Sequence, residues 1–362
     1  MIKIQIQPAW IFGNEASMQL EPNLLRLLEA IHRHKKLSTA AKETELSYRH
    51  AWGILDKWTE IFGMPLVILE RGRGAILTAV GERLLLTSNR IQNRLAPQLQ
   101  TLSAEMESEI NQILANDKPI IRLHASHDLV LAQLRRMLIA QKGPCLNLQF
   151  RGSVDSLISL SRSRCDLAGF HVPEGNLAEK ILLQYKPWLK TRLYKLIHLV
   201  RREQGIIVAS SNPFGLASLA DIAKSNARFI NRQPGSGSRL LIDCLLDEAG
   251  IETETLNGYD TEEFTHFAVA ATIASGNADT GFGIKAAAHQ FGLDFIPQLT
   301  ETYFLALRQD TLEQPPVREL IDFIRSTDFR SMAETFPGYN AANSGDLINI
   351  REMFPDLIDT SP

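Results

Sequence analysis

Residues 37–63, LSTAAKETELSYRHAWGILDKWTEIFG, leave the fold the fewest choices. They read as two short helices joined by a tight turn. Ser38 is placed to cap the first, with Thr39 beside it, and the small Ala40 and Ala41 let a neighbouring helix approach closely. Ser47 caps the second, whose apolar residues Ala51, Ile54, Leu55, Trp58 and Phe62 recur at spacings of three and four and so share one face. Tyr48, Arg49, His50 and Lys57 fall largely off that stripe. A helix that packs along one side and offers Ser, Tyr, Arg and His from its first turn suits a DNA major groove. The same residues fit an ordinary two-helix corner, and this stretch alone does not decide.

The next stretch does. MPLVILERGRGAILTAVGERLLL reads as a strand, a turn at Arg71-Gly72-Arg73-Gly74, a second strand and a helix opening after Thr78. A hairpin with Arg71 and Arg73 at its tip, directly behind a recognition helix, makes a winged helix-turn-helix whose arginines can reach backbone phosphates. The order Ala40-Ala41, Tyr48-Arg49-x-Ala51-Trp52, Phe62-Gly63-x-Pro65-Leu66-Val67 and Leu77-Thr78-x-x-Gly81 resembles the DNA-binding domain of the ModE and LysR-type bacterial regulators. The segment from Ser47 to Trp52 is similar to ModE in particular. The resemblance spans residues 20–90 and implies double-stranded operator DNA as a partner. The wing here is shorter than the family pattern.

At 362 residues the chain is long enough for two or three domains. Its 44% hydrophobic and 22% charged residues describe a globular protein able to bury sizeable cores. No apolar run reaches the ~18 residues of a membrane span. The start, MIKIQIQPAWIFG, alternates like a strand and lacks the features of a signal peptide, so a cytoplasmic location with no membrane partner is expected. Cys145, Cys165 and Cys244 are far apart in apolar surroundings, with neither disulfide nor zinc spacing. The net charge of -3 divides unevenly: residues 1–100 hold 13 Lys/Arg against 9 Asp/Glu. A mildly basic head on an acidic body fits a DNA-binding module joined to something else.

A small hairpin is expected within residues 2–20, then a helix from about Pro22 to His34. After the wing a long helical pattern runs from Ala79 to Leu114, with Pro97 placed to break it into two. Its apolar positions either pack on their own domain or pair with a second copy. A homodimer, or a dimer of dimers, is the favoured reading, because it lets two recognition helices meet half-sites one DNA turn apart. Residues 116–119 form a polar break. Beyond it strands and helices alternate, which implies a parallel sheet with right-handed crossovers. LIHLVRREQGIIVAS reads as paired strands, and the tail after Pro337 as irregular. The fold class is therefore an N-terminal winged helix-turn-helix (α+β) followed by a two-lobed α/β domain. The division expected is 1–90 for the DNA-binding domain, 91–118 for a linker or dimerisation helix, and 119–362 for the ligand-binding domain. FINRQPGSGSRLLID, THFAVAATIASGNADTGFGI and LDFIPQLTETYFLALR resemble the periplasmic-binding-protein-like domain of some ModE- and LysR-like regulators and of molybdenum-cofactor biosynthesis proteins.

In open α/β sheets ligands bind beyond the C-terminal strand ends, where helix N-termini converge. Those positions are Ser126 and His127, Gly152 and Ser153, His171, then Asn231, Arg232, Gly235, Ser236, Gly237 and Ser238, then Thr265 and His266, and Gly283. Hydroxyls and backbone N–H groups at helix starts make an anion cradle. Arg232 can pair bidentately with an oxyanion, and Arg239 is a weaker candidate one turn away. Asp128 and Glu263 are expected to cap helices. The glycine run has neither P-loop nor dinucleotide spacing, and no GxSxG occurs, so neither a nucleotide cofactor, a metal ion nor an enzyme is expected.

The reading that results is a ligand-responsive, dimeric transcriptional regulator sensing a small anionic effector. The resemblance implies molybdate, tungstate or a molybdenum-cofactor-related species as that effector, although ModE itself senses molybdate through domains of another fold. The alternative is an oxyanion carrier or cofactor-biosynthesis protein whose winged helix only oligomerises.

Overall fold

The computed structural model describes residues 4–12, 18–70, 74–113 and 120–354. The chain divides into two compact units, residues 7–93 and residues 94–362 together with 1–6. The polar break at 116–119 lies outside the described residues.

In the first unit β1 (Ile11–Phe12) pairs antiparallel with β2 (Met18–Gln19), giving the expected small hairpin. Phe12 stands edge-on to Trp58 at 5.8 Å and to Phe62 at 5.5 Å, which pins the hairpin to the helices. Then come α1 (Pro22–His34), α2 (Leu37–Glu43), α3 (Tyr48–Phe62), the antiparallel pair β3 (Val67–Glu70) and β4 (Gly74–Leu77), and the start of α4 (Ala79–Ile113). Pro22 opens α1, where its missing N–H has no partner to lose, and Leu24, Leu27, Leu28 and Ile31 bury together. Helix α3 begins at Ser47, whose hydroxyl accepts the His50 N–H at 3.1 Å, and ends at Gly63 with φ 68. Trp58 is fully buried in this core, and truncating such a side chain costs about 3–5 kcal/mol. Gly81 has a steric reason: a Cβ there would lie 2.2 Å from the Leu66 carbonyl oxygen. The Leu-Thr-x-x-Gly sequence thus lets α4 press against the entry to the wing.

Helix α4 does not break at Pro97; its 35 residues are continuous. A helix-interior proline costs about 3 kcal/mol, and burial of Leu85 before it and Ala104 after it offsets that.

The second unit holds β5 (Ile120–Ala125), α5 (Leu129–Ala140), β6 (Cys145–Phe150), α6 (Ser153–Ser161), β7 (Leu167–Pro173), α7 (Leu177–Tyr185) and β8 (Tyr194–Val208). There follow α8 (Leu219–Lys224), β9 (Phe229–Arg232), α9 (Gly237–Glu248), β10 (Glu262–Glu263), α10 (His266–Ala274), β11 (Thr280–Ile284), α11 (Lys285–Gln290) and β12 (Asp294–Arg308). It ends with α12 (Pro315–Arg325), α13 (Thr327–Glu334), β13 (Tyr339–Asn340), β14 (Leu347–Asn349) and α14 (Ile350–Met353). The strand order is β10-β9-β11-β8-β12-β7-β5-β6. β5, β6 and β7 run parallel, as do β9, β10 and β11, and the long antiparallel pair β8 and β12 passes through both sets. This is the two-lobed α/β arrangement, with two strands shared between the lobes.

Two expectations are corrected here. LIHLVRREQGIIVAS falls in one strand, Tyr194–Val208, not a pair, because its middle stays in the ladder, with Arg202 and Gln204 buried and Arg201 and Glu203 half-buried on the other face. The tail is not irregular: β13 and β14 add antiparallel to β8, which gives their backbone groups partners.

Candidate functional site

On the first unit α3 presents Ser47, Tyr48, Arg49 and His50 as an exposed first turn, while the next residue, Ala51, is fully buried. Ser38 and Thr39 are exposed on α2, but Ser38 lies inside that helix: the cap position is Lys36, with no side-chain cap. Lys57 does not join that exposed turn: its ammonium pairs with the Glu21 carboxylate and leans over the Trp58 ring. Arg71 and Arg73 lie outside the described residues.

The second unit brings most of the expected ligand residues to one place, between the lobes. Ser126 follows β5, Gly152 and Ser153 follow β6, and His171 sits on β7. From the other lobe come Arg232 at the end of β9, Ser236, Gly237 and Ser238 at the start of α9, and His266 at the start of α10. The lobes are closed upon each other. A Cβ on Gly152 would lie 2.7 Å from the Gly235 carbonyl oxygen, and one on Gly237 would lie 3.3 Å from Ser153 Oγ, 3.5 Å from His171 Nδ1 and 4.0 Å from the Tyr185 hydroxyl. The missing side chain of Gly237 therefore leaves a small space walled by a serine, a histidine and a tyrosine, at the N-terminus of a twelve-residue helix whose first N–H groups have no helical partner.

Two arginines give this cleft its charge, in different ways. Arg202 on β8 is 1% exposed; its Nε donates to Glu301 Oε1 at 2.5 Å and its Nη1 donates to Asp128 Oδ2. Burial disfavours its charge, but Glu301 and Asp128 outweigh burial and hold it protonated beyond the ordinary arginine range. Tyr339 donates to the same Asp128 oxygen at 2.9 Å, while Asp128 Oδ1 caps α5 by accepting the Val130 N–H at 2.8 Å. Arg232 is 5% exposed, and among the described residues no carboxylate forms an ion pair with it. Its Nη2 donates to the Phe264 carbonyl at 3.1 Å, its Nε donates to Gln233 Oε1 at 3.3 Å, and its Nη1 is buried without a partner. Burial, and then Arg202, push this guanidinium down to about 9.

The histidines complete a set of neutral donors. His171 Nδ1 lies 3.1 Å from Ser126 Oγ and 3.5 Å from Ser153 Oγ, and its Nε2 is buried without a partner. His266 Nε2 lies 3.4 Å from Ser238 Oγ, and its Nδ1 is likewise buried and unpartnered. Burial first, and then the two arginines, hold both rings well below the ordinary histidine value. His127, tilted over Phe150 at 4.8 Å, is pushed down to about 4 by burial. The Tyr185 hydroxyl is buried close to Ser153, whose hydrogen bond counters part of the upward push that burial gives the phenol. Buried polar groups left unpaired cost about 1–3 kcal/mol each, and Arg232 Nη1, His171 Nε2 and His266 Nδ1, unpaired among the described residues, mark this cleft as the candidate binding site.

Other expected residues serve the scaffold. Asn231 spends its amide on the Tyr259 carbonyl at 3.2 Å and its own neighbour's N–H at 2.8 Å. Ser236 and Thr265 cap α9 and α10, accepting the N–H groups of Arg239 and Ala268. Arg239 is held by Asp243 and Glu262 and stacks on Tyr259. The cap of α10 is Thr265 and not Glu263, which accepts from Thr272 Oγ1 at 3.1 Å. Gly283 gives His266 room, since a Cβ would lie 3.2 Å from the ring Nδ1. Sequence reasoning missed Tyr185, Arg202, Gln204, Glu301, Tyr303 and Tyr339. One signal was available: Arg201-Arg202-Glu203-Gln204 interrupts an otherwise apolar strand.

Among the described residues no group of three or more His, Cys, Asp or Glu could hold a metal ion, and no helix is long and apolar enough to cross a membrane. A cavity of about 720 Å³ lies elsewhere, bordered by Glu174, His198, Arg201 and Arg325. Arg201 is already held there by both oxygens of Glu174 at 2.5 Å, so the cavity lacks the surplus of donors found between the lobes.

Residues 136–325 match the PBP superfamily domain (PBP_like), and residues 22–82 match the bacterial regulatory helix-turn-helix protein, lysR family. YvgK of Bacillus subtilis (strain 168), an uncharacterized protein, is 30% identical over 201 residues, covering 55% of this chain and 64% of its own length. The chain thus spans just under two thirds of that relative. An uncharacterized Clostridium pasteurianum protein from the 5' region of a ferredoxin 2Fe-2S gene is 35% identical over 110 residues, 30% of this chain and 97% of its own length. The molybdenum transport protein ModE of Azotobacter vinelandii is 30% identical over 102 residues, covering 27% of this chain and 36% of ModE. The solved Corynebacterium glutamicum OxyR C206 mutant aligns with 83% of this chain and 88% of its own at 16% identity and a TM-score of 0.40, a level that decides nothing by itself. With a lysR-family helix-turn-helix at residues 22–82 and a PBP superfamily domain at 136–325, the chain belongs to the LysR-type DNA-binding transcriptional regulators with a PBP-like domain.

Proposed function

We propose that this regulator senses a small tetrahedral oxyanion held between the closed lobes, with molybdate or tungstate as the first candidate. One observation carries the reading: among the described residues Arg232 is buried without a carboxylate ion pair, its Nη1 unpaired, near the unpaired His171 Nε2 and His266 Nδ1. Neutral imidazoles, hydroxyls and a helix start donate to an oxyanion from several directions, and a single arginine supplies the charge. The molybdenum assignment draws support from the partial similarity to the molybdenum transport protein ModE and to the molybdenum-pterin-binding protein MopB of Rhodobacter capsulatus.

The regulator acts as a homodimer in this reading. Leu102 and Met106, four residues apart on α4, are 48% and 44% exposed, an apolar stripe suited to a second copy of the helix. Ligand affinity and operator affinity then change each other by the same factor.

Calorimetric titration of the full chain with molybdate, tungstate, sulfate and phosphate tests the proposal. Saturable binding of an oxyanion, lost in Arg232→Ala, is the expected result. If the cleft takes only organic acids, the molybdenum assignment is wrong, and if it takes no anion, the reading of the cleft is wrong.

A further inference from the structure

We propose that Arg94, on α4, is a positioning residue for this site: by engaging the Glu263 carboxylate it leaves Arg232 available to the ligand. The inference rests on reading the cleft as an oxyanion site.

Glu263 belongs to the two-residue edge strand β10 and pairs in register with Arg232 on β9. It is 4% exposed, with Oε1 accepting from Thr272 and Oε2 lying 3.6 Å from Arg94 Nε. The Arg94 guanidinium also stands 5.7 Å from the centre of the Phe264 ring, and the Phe264 carbonyl is the acceptor for Arg232 Nη2. The same two residues are thus touched by Arg94 from one side and by Arg232 from the other. A buried carboxylate is the strongest competitor an anionic ligand can have for a buried arginine, because the interior screens their attraction weakly. Glu263 already offsets part of the burial cost on the Arg232 charge. Without Arg94, more of the Glu263 charge acts on Arg232, and an incoming oxyanion competes with that carboxylate for the guanidinium.

The place of Arg94 on the chain gives this a regulatory meaning. It is the first residue of the second unit, on a helix that begins in the DNA-binding unit at Ala79. Ten residues further on, the same helix holds the other lobe: Thr101 Oγ1 accepts the Phe150 N–H at 3.0 Å, and Glu107 pairs with Arg135. Phe150 ends the strand that leads into Gly152 and Ser153. One helix therefore touches the strand ends that carry the ligand residues of both lobes, and a shift of α4 imposed by operator DNA alters the charge offered to the ligand.

The test is calorimetric titration of the full chain with sodium molybdate and sodium sulfate, in wild type, Arg94→Ala, Arg94→Gln, Glu263→Gln and Arg94→Ala/Glu263→Gln. Arg94→Ala and Arg94→Gln are expected to weaken binding about tenfold, and adding Glu263→Gln to restore it to within about threefold, since coupled charges are non-additive. The restoration is the decisive readout, because a merely structural Arg94 would not be rescued by removing its partner. Unchanged affinity in the single variants, or a loss that Glu263→Gln does not repair, overturns the proposal while leaving the oxyanion site intact. A wild type that binds neither anion overturns both.

Discussion

Replacing Arg232 by methionine should make the ligand-free protein more stable while abolishing its response to oxyanions. The change keeps the length of the stem and removes the charge. Burial pushes the guanidinium below the ordinary arginine range to about 9, so the folded protein bears a cost on the order of a few kcal/mol for keeping it charged. The substitution also strips the Phe264 carbonyl of a donor and Gln233 of a partner, returning about 1–3 kcal/mol. A net gain of about 2 kcal/mol remains, equivalent to about 4–8 °C in Tm for a domain of this size. The sign with pH follows from the unfolded chain holding this proton more tightly than the folded one. Below about 9 both states are charged and the full cost is present; above it the folded form loses its proton first and the cost relaxes as pH rises towards the ordinary arginine range. Thermal unfolding of both proteins at pH 7 and pH 10, with and without molybdate, reads all of this. The variant should melt higher at pH 7, by less at pH 10, and ignore the anion. An Arg232→Met protein that melts below wild type at pH 7 would show that the arginine is compensated in the empty protein, and the argument for a charge awaiting its ligand would fail.

Gly237→Ala should lower oxyanion affinity at least tenfold with little change in unfolding temperature, since its Cβ would occupy the space 3.3 Å from Ser153 Oγ; titration and a melting curve on one preparation check both halves. Arg202→Ala should destabilise the second unit by about 3–5 kcal/mol, because Asp128 and Glu301 are left as buried uncompensated carboxylates, and denaturant unfolding should show part of that loss recovered by adding Glu301→Gln. Ser47→Ala should cost the first unit about 1 kcal/mol through its lost cap, whereas Arg49→Ala should leave stability unchanged and reduce the salt slope of operator binding by about one, as measured by fluorescence anisotropy.

The parts of this protein that sequence could show are those fixed by local pattern. Ser47 and Gly63 bound α3 because a cap and a left-handed glycine act within one turn, and Trp58 and Leu55 point inward because of helical spacing. Ser153, His171, Arg232, Ser238 and His266 could be grouped as candidates because they lie where apolar strand patterns give way to helix starts, and the fold brings them to one cleft. Inside the shared strands that logic fails. Arg202 and Gln204 alternate with Arg201 and Glu203, and nothing local says which pair faces the cleft; only pairing with Glu301 and Ser238 decides it. Tyr339 was hidden for the same reason, since its acceptor, Asp128, lies more than two hundred residues earlier. Pattern does not tell that the Asn231 amide donates to the Tyr259 carbonyl, because a strand-end amide serves a neighbouring loop as readily as a ligand.

The two strands shared by the lobes determine how this molecule can open. Their ladder shifts register twice, between Pro297 and Leu299 and again between Tyr303 and Phe304. Irregular steps of this kind bend more easily than the regular ladder around them. The segment they bracket contains Glu301, which sits opposite Arg202 in register and is tied to it through the side chains as well. The mechanical outcome is a stiff block with a compliant joint at each end. If the lobes part, bending is expected at these two joints, with the charged pair lying on the stiffer stretch between them.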